Sequence, residues 1–259
     1  MNRSLKIALI QADLVWQNAK QNRINFSEKI NNITEKVDVI VLPEMFTTGF
    51  SMQPQKIAEY MVGDTVKWMQ QIASEKNTAI CGSIIISENK NFYNRFIFVH
   101  PEGKIEYYNK RHLFTLAGEH TVYTQGEEKI IIEYKNWKIC PLVCYDLRFP
   151  VWARNVEEYD VLLYVANWPK PRIAAWDTLL KARSIENMCY TIGVNRVGND
   201  ANNLEYSGHS GVYNCLGEEV VKAKPNKEET IIAVLEKNHI TEIRNTLNFL
   251  SDKDLFEIL

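Results

Sequence analysis

The sequence predicts a layered α/β or α+β fold with a mixed sheet system. Three observations point there. Apolar runs of strand length alternate with stretches of helical periodicity, two hairpin signals interrupt the alternation, and several runs are apolar without a break. An unbroken short run suits a strand buried on both faces, as central strands of layered folds are.

The elements follow in order. "LKIALIQADL" reads as a first strand. "NRINFSEKINNITEK" places Ile24, Phe26, Ile30 and Ile33 near helical spacing. "VDVIVLP" is a continuous apolar strand, and "DTVKWMQQIASEK" over residues 64–76 a helix with Asp64 as its N-cap. "TAICGSIII" is the next strand. "NRFIFVHPEGKIEYYN" forms a hairpin around Pro101-Glu102-Gly103, and "KIIIEYKNWKICPLVC" a second strand pair turning near Asn136. A helix near 150–157, the strand "DVLLYVAN", a helix over about 173–188 and the strand "YTIGVNRVG" come next. Strand candidates around 209–222 and 230–235 precede a helical or irregular tail over 238–259, the kind of segment that docks on a partner subunit. No repeat, low-complexity tract or Pro/Gly/Ser-rich linker divides the 259 residues, so one domain over 1–259 is expected.

Composition narrows the function. A chain of this size buries roughly 75% of its unfolded surface and needs no disulfide or metal staple. The formal net charge of −2 argues against a general nucleic-acid binder, which needs a basic stripe. It leaves room for a small acidic substrate, which needs only one or two local cations. No window approaches the ~18 apolar residues of a membrane span, and the first residues do not read as a signal peptide. Five cysteines, an odd and sparse set, read as reduced cytosolic thiols. Cys140 and Cys144 lack a further Cys/His pair at ligand spacing, which argues against zinc.

Four apolar strands stop abruptly at polar or reactive side chains: at Glu44, at Lys110, at Cys144, and at Asn167 with Trp168. Sites in layered α/β folds form outside the carboxyl ends of strands, so these residues are candidates for one pocket. Their chemistry is coherent. Only a thiolate attacks well, a carboxylate beside a thiol can take its proton, and a lysine beside both can lower the thiol pKa and then hold an oxyanion. The backbone N–H of Tyr145 is a second candidate oxyanion donor; losing one such donor costs about 3–4 kcal/mol of transition-state stabilisation. Singly, each residue has a plainer reading: Cys144 as a core thiol, Glu44 as a cap or loop residue, Lys110 as a surface charge.

Three ordered stretches decide between these readings. "VIVLPEMFTTGF" around Glu44, "YYNKRHLF" around Lys110 and "PLVCYDLRFP" around Cys144 together resemble the three signatures of the nitrilase (carbon–nitrogen hydrolase) superfamily. "YVANWP", "KARSIENMCYTIGVNRVG" and "SGHSGVYNCLGEEV" extend the resemblance over most of the chain. The last departs from the usual pattern at Asn214 and Cys215, where proline is common, which is expected to alter a turn and spare the chemistry. The resemblance implies an α+β, four-layer α-β-β-α sandwich, a dimer that continues it, and no metal or organic cofactor. It implies Glu44 as general base, Lys110 as oxyanion-stabilising lysine, Cys144 as nucleophile, and Glu119 in "AGEHTVYTQGE" as an orienting carboxylate.

"NKRHLF", "CYDLRFP" and "LYVANWPKPR" are most similar to bacterial ω-amidases, which hydrolyse the terminal amide of 2-oxoglutaramate or 2-oxosuccinamate. Such a substrate needs a cation for its carboxylate. Arg172, in a loop stiffened by two prolines, is the candidate. Phe46, Tyr145 and Trp168 are expected to wall the pocket, with Asn167 beside them. Arg148 is expected to be structural, paired with a nearby carboxylate, and His112 to support the lysine loop or simply pack there. An amidase acting on deaminated glutathione or a carbamoyl amine, an acyltransferase using the same thioester, and a binding member without catalysis remain open as alternatives.

Overall fold

The structure is a computed structural model and describes residues 4–254 and 256–257. In chain order its strands and helices are β1 (Ser4–Gln11), α1 (Ala19–Asn31), β2 (Val39–Val41), α2 (Pro54–Ile57), α3 (Asp64–Lys76), β3 (Ala79–Glu88), β4 (Asn91–Val99), β5 (Ile105–Asn109), β6 (Ile132–Tyr134), β7 (Trp137–Val143), α4 (Pro150–Ala153), β8 (Val161–Ala166), α5 (Ile173–Asn187), β9 (Tyr190–Asn195), β10 (Val197–Asn199), β11 (Glu205–Ser207), β12 (Gly211–Tyr213), β13 (Glu219–Lys222), β14 (Glu229–Glu236) and α6 (Lys237–Leu247). No helix among the described residues is long and apolar enough to cross a membrane.

Two six-stranded sheets form the middle layers, ordered β14-β1-β2-β3-β4-β5 and β13-β12-β9-β8-β7-β6. β1, β2 and β3 run parallel at the heart of the first sheet, and β7, β8 and β9 at the heart of the second. Strand alternation sorts the side chains between two cores. Leu5, Ile7, Leu9, Phe96 and Phe98 face Ile139, Leu163, Val165, Ile192 and Val194 between the sheets. Ala8, Ile10, Ile40 and Ile80 point the other way, onto Phe26 and Ile30 of α1 and Val66, Met69 and Ile72 of α3. Trp176 and Leu180 of α5 cover the outer face of the second sheet. Contact there is tight at Gly193 of β9, where an added Cβ would lie 2.5 Å from Leu180 Cδ1 and 2.6 Å from Trp176. The result is the four-layer α-β-β-α sandwich.

Local departures from the sequence reading have local causes. The N-cap of α3 is Gly63, not Asp64, and Glu59 accepts from Thr65 N (2.8 Å) to satisfy one orphan donor of the first turn. The helix expected over 150–157 stops at Ala153, because Asn155 bonds instead to Tyr159 N and O and to Asn187. The candidate at 209–222 splits into β12 and β13. Asn214 builds the turn between them, its Oδ1 accepting from Leu216 N (2.9 Å) and Glu218 N (3.0 Å). The small β10–β11 sheet was not expected from the sequence. Of the predicted tail, α6 packs on the body of its own chain through buried Ile240 and through Arg244, which donates to Met188 O and Tyr159 O. Residues 255, 258 and 259 of that tail lie outside the described residues.

Candidate active site

The carboxyl ends of β2, β5, β7 and β8 converge, and with them the residues that end those strands. Glu44 sits in the turn after β2, Lys110 directly after β5, Cys144 directly after β7, and Asn167 directly after β8. Cys144 occupies the left-handed region (φ 46°) at the start of a 3₁₀ turn over Cys144–Arg148. A side-chain-bearing residue held there stores about 1–3 kcal/mol of strain, typical of functional positions. Cys144 as a residue is half-buried, whereas Cys81, Cys140, Cys189 and Cys215 are buried. Tyr145 follows in the first turn, where backbone donors lack intrahelical acceptors.

Three buried charges face the thiol. Lys110 Nζ donates to Glu44 Oε1 (3.0 Å) and to Glu119 Oε2 (2.9 Å) and Oε1 (3.1 Å). Glu44 and Glu119 are 0% exposed and Lys110 1%, so solvent does little to screen them. Burial pulls the Lys110 ammonium toward neutrality, but the carboxylates of Glu119 and Glu44, with Cys144, overcome it and hold its pKa above the ordinary lysine value. Burial pushes Glu119 above the ordinary carboxyl range; Lys110 opposes this and Glu44 adds to it.

For Cys144 the outcome differs from the sequence expectation of a lysine-lowered thiol. Burial, then the charge of Glu44, raises the thiol well above its usual value, and Lys110 offsets only part. Glu44 thereby favours the protonated form of the thiol. The resting site therefore holds a protonated sulfur beside a carboxylate, an arrangement for proton removal during attack.

A cavity of about 360 Å³ opens over the sulfur. Lys110, Cys144, Tyr145, Asn167, Trp168 and Arg172 line it. Glu44 and Glu119 lie behind this lining, joined to it through Lys110. Phe46 does not reach the cavity. It is fully buried against Phe26 (5.5 Å between ring centroids) and Trp68 (5.9 Å) under α1 and α3. Phe50 lines the cavity instead, with Lys110 Nζ 5.3 Å from its ring centroid. Gly49, at φ 70°, lets the chain turn back there. Arg148 is also on the wall, with its guanidinium 4.8 Å from the Trp168 ring centroid, and no carboxylate pairs with it among the described residues. Arg172 stands likewise over Phe114, at 5.1 Å, and its carbonyl accepts from Trp168 Nε1 (2.8 Å).

Supporting residues escaped the sequence reading. Asn94 donates to Glu44 Oε1 (2.7 Å) and accepts from Ser83 Oγ (2.8 Å), so it fixes the carboxylate from β4. Asp146 accepts from His112 N (2.9 Å), His112 Nδ1 (2.8 Å), Tyr108 OH (2.8 Å) and Val143 N (3.0 Å). It thereby ties the lysine loop to the nucleophile turn, and His112, stacked on Phe149 at 3.6 Å, does support that loop. Asn195 accepts from Trp168 N (2.8 Å) and donates to Trp168 O (2.9 Å), which fixes the end of β8. The one sequence signal for Asp146 was its place two residues after the cysteine; Asn94 lies inside β4, and Asn195 ends β9 where the sequence read as one longer strand, so nothing marked them. No group of three or more His, Cys, Asp or Glu side chains suited to a metal occurs among the described residues.

Comparison with known proteins places the chain in a family. The carbon-nitrogen hydrolase family model matches residues 6–245. The chain is 44% identical to the omega-amidase YafV of Escherichia coli (strain K12), with 98% of each chain covered. It is 32% identical to the 2-oxoglutaramate amidase of Bacillus subtilis (strain 168), over 96% of this chain and 98% of that one. Among solved structures, XC1258 of Xanthomonas campestris, a CN-hydrolase superfamily protein with an arsenic adduct in its active site, superposes with a TM-score of 0.96 at 39% identity, covering 99% of both chains.

Proposed function

Because the chain belongs to the carbon–nitrogen hydrolase family, we propose that it cleaves the terminal amide of a small α-oxo acid, 2-oxoglutaramate or 2-oxosuccinamate, to the dicarboxylate and ammonia. The observation that carries the substrate class is the cavity itself: a thiol and an ammonium line it, a carboxylate is bonded to that ammonium from behind, and Arg172 and Arg148 face it without ion-pair partners among the described residues.

The reaction runs in two halves. Glu44 takes the thiol proton as Cys144 Sγ attacks the amide carbon. Lys110 and the Tyr145 N–H hold the oxyanion, and Glu119 keeps the Lys110 ammonium in place. Glu44 passes the proton to the amide nitrogen, the C–N bond breaks, ammonia departs and a thioester remains. Water then gives a proton to Glu44 and attacks the thioester. Collapse returns the proton to sulfur and frees the acid. Arg172 binds the substrate carboxylate, and Trp168, Tyr145 and Asn167 shape its surroundings.

Ammonia release tests the substrate. Fast turnover of 2-oxoglutaramate is expected, with little from glutamine. Arg172→Met should raise KM for 2-oxoglutaramate about 10–100-fold with a smaller change in kcat, as expected for loss of a charged hydrogen bond to bound substrate. Preference for deaminated glutathione would keep the Cys144 chemistry and discard this substrate.

The cytoplasmic homodimer belongs to the same proposal. Five free cysteines suit a reducing compartment. Exposed Ile185 lies beside the Leu216–Gly217 turn, and exposed Val151 borders a hollow shared with Glu186, Asp252 and Phe256. This surface, which exposes Val151, Ile185 and Phe256 among charged side chains and reaches the C-terminal tail of the single catalytic domain, is the contact proposed for a second copy. Light scattering should give twice the 30.1 kDa chain mass, and Ile185→Asp should lower it to one. A wild-type monomer at all concentrations would remove this contact.

A further inference from the structure

Asn167 carries an unexplained atom. Its backbone N–H donates to Glu44 Oε2 (2.7 Å) and its side-chain Nδ2 donates to Glu44 O (2.6 Å). The second bond fixes the amide orientation, because a flipped amide would set oxygen against oxygen. Oδ1 is therefore the branch turned from the Glu44 backbone carbonyl, and it meets no donor among the described residues although it is buried. The residue is 5% exposed and lines the cavity over Cys144. Other buried orphans, such as Tyr164 OH and Ser207 Oγ, belong to residues that do not line the cavity. A buried acceptor left unpaired is costly, and its presence at a site calls for a donor from the ligand.

We propose that Asn167 Oδ1 accepts a hydrogen bond from the N–H of the substrate's primary amide and makes the site selective for amides over esters. This rests on the hydrolase reading above. The needed donor must lie next to Glu44, because Asn167 is bonded to that residue at two points. In amide hydrolysis the group that must reach Glu44 is the leaving nitrogen. As Sγ bonds to the amide carbon, the nitrogen becomes pyramidal and its lone pair must accept the proton held by Glu44. A hydrogen bond from one N–H to Oδ1 fixes that orientation. The C–N bond then breaks, and ammonia leaves with the proton that began on sulfur. An ester brings an alkoxy oxygen to the same place and has no hydrogen to donate, so Oδ1 stays buried and unpaired throughout the reaction.

The experiment compares 2-oxoglutaramate with the ω-methyl ester of 2-oxoglutarate, for wild type and Asn167→Ala. Wild type should cleave the amide at least as well as the ester, despite the ester's greater intrinsic reactivity. In Asn167→Ala the ratio of amide to ester kcat/KM should fall by about 10²-fold, the scale of one transition-state hydrogen bond. Equal losses on both substrates would overturn the proposal and reduce Asn167 to positioning Glu44. If the variant does not fold, the wild-type ratio decides alone, and a clear preference for the ester would overturn it. Failure of wild type to turn over 2-oxoglutaramate at all would instead refute the substrate reading, and the same ratio would then be measured on the primary amide it does hydrolyse.

Discussion

Cys144→Ala should abolish ammonia release, with kcat falling by about 10⁴-fold or more, as loss of a nucleophile does elsewhere. The fold should survive. The residue is small, lies at the edge of the core and lines the cavity, so removing Sγ leaves little buried space behind. Thermal melts of variant and wild type should therefore nearly coincide. The same residue gives a pH prediction. Burial and the adjacent Glu44 charge hold the thiol well above its ordinary value despite Lys110. In the free enzyme the thiolate is thus scarce at neutral pH and grows as pH rises. Alkylation of Cys144 by iodoacetamide should climb steadily through the ordinary thiol value of about 8.5 without levelling off. A plateau at neutral pH would mean a resident thiolate and contradict the role given to Glu44.

Lys110→Met should damage both stability and catalysis. Nζ is the cation shared by two fully buried carboxylates. Removing one partner of a buried ion pair costs about 3–5 kcal/mol, because the charge left behind stays desolvated. Loss of the oxyanion donor should lower kcat a further 10²–10³-fold or so. The stability loss should depend on pH in a definite sense. Glu119 already sits above the ordinary carboxyl range through burial, and Lys110 opposes that rise. Without the lysine it should rise further. A carboxyl raised in the folded state favours folding when protonated, so its contribution is full below the unfolded value and is lost as pH rises through the folded one. Urea denaturation should find the variant's deficit smaller near pH 5 than near pH 8, since the unfolded glutamate titrates near about 4.3. An equal deficit at both would mean that the lysine does not govern Glu119.

The sequence made the strand ends legible because apolar runs stop sharply there. Glu44, Lys110, Cys144 and Asn167 do meet at one end of the two sheets. What it could not resolve was direction within a turn. Phe46 and Phe50 flank the same "TTG" stretch, and only the backbone path, through Met45 at φ 42° and Gly49 at φ 70°, sends one into the core and the other to the cavity. Arg148 posed the same problem: whether an arginine pairs with a carboxylate or faces a ligand depends on contacts distant in sequence, here the Trp168 ring. Asn94 and Asn195 were invisible for another reason. Asn94 is a polar residue inside a strand, with no local signature of what it will meet, and Asn195 ends β9 in the middle of the stretch "YTIGVNRVG", which reads as one strand. Conversely, the turn at Asn214 was flagged as unusual, and its side chain proves to supply the hydrogen bonds that shape it.

The most direct test is rapid quenching of wild-type enzyme during turnover of 2-oxoglutaramate, followed by intact and peptide mass measurement. A covalent adduct with the mass of the substrate less ammonia, confined to the peptide containing Cys144, is the expected result. An adduct on Cys81, Cys140, Cys189 or Cys215, or full turnover by Cys144→Ala, would contradict the account.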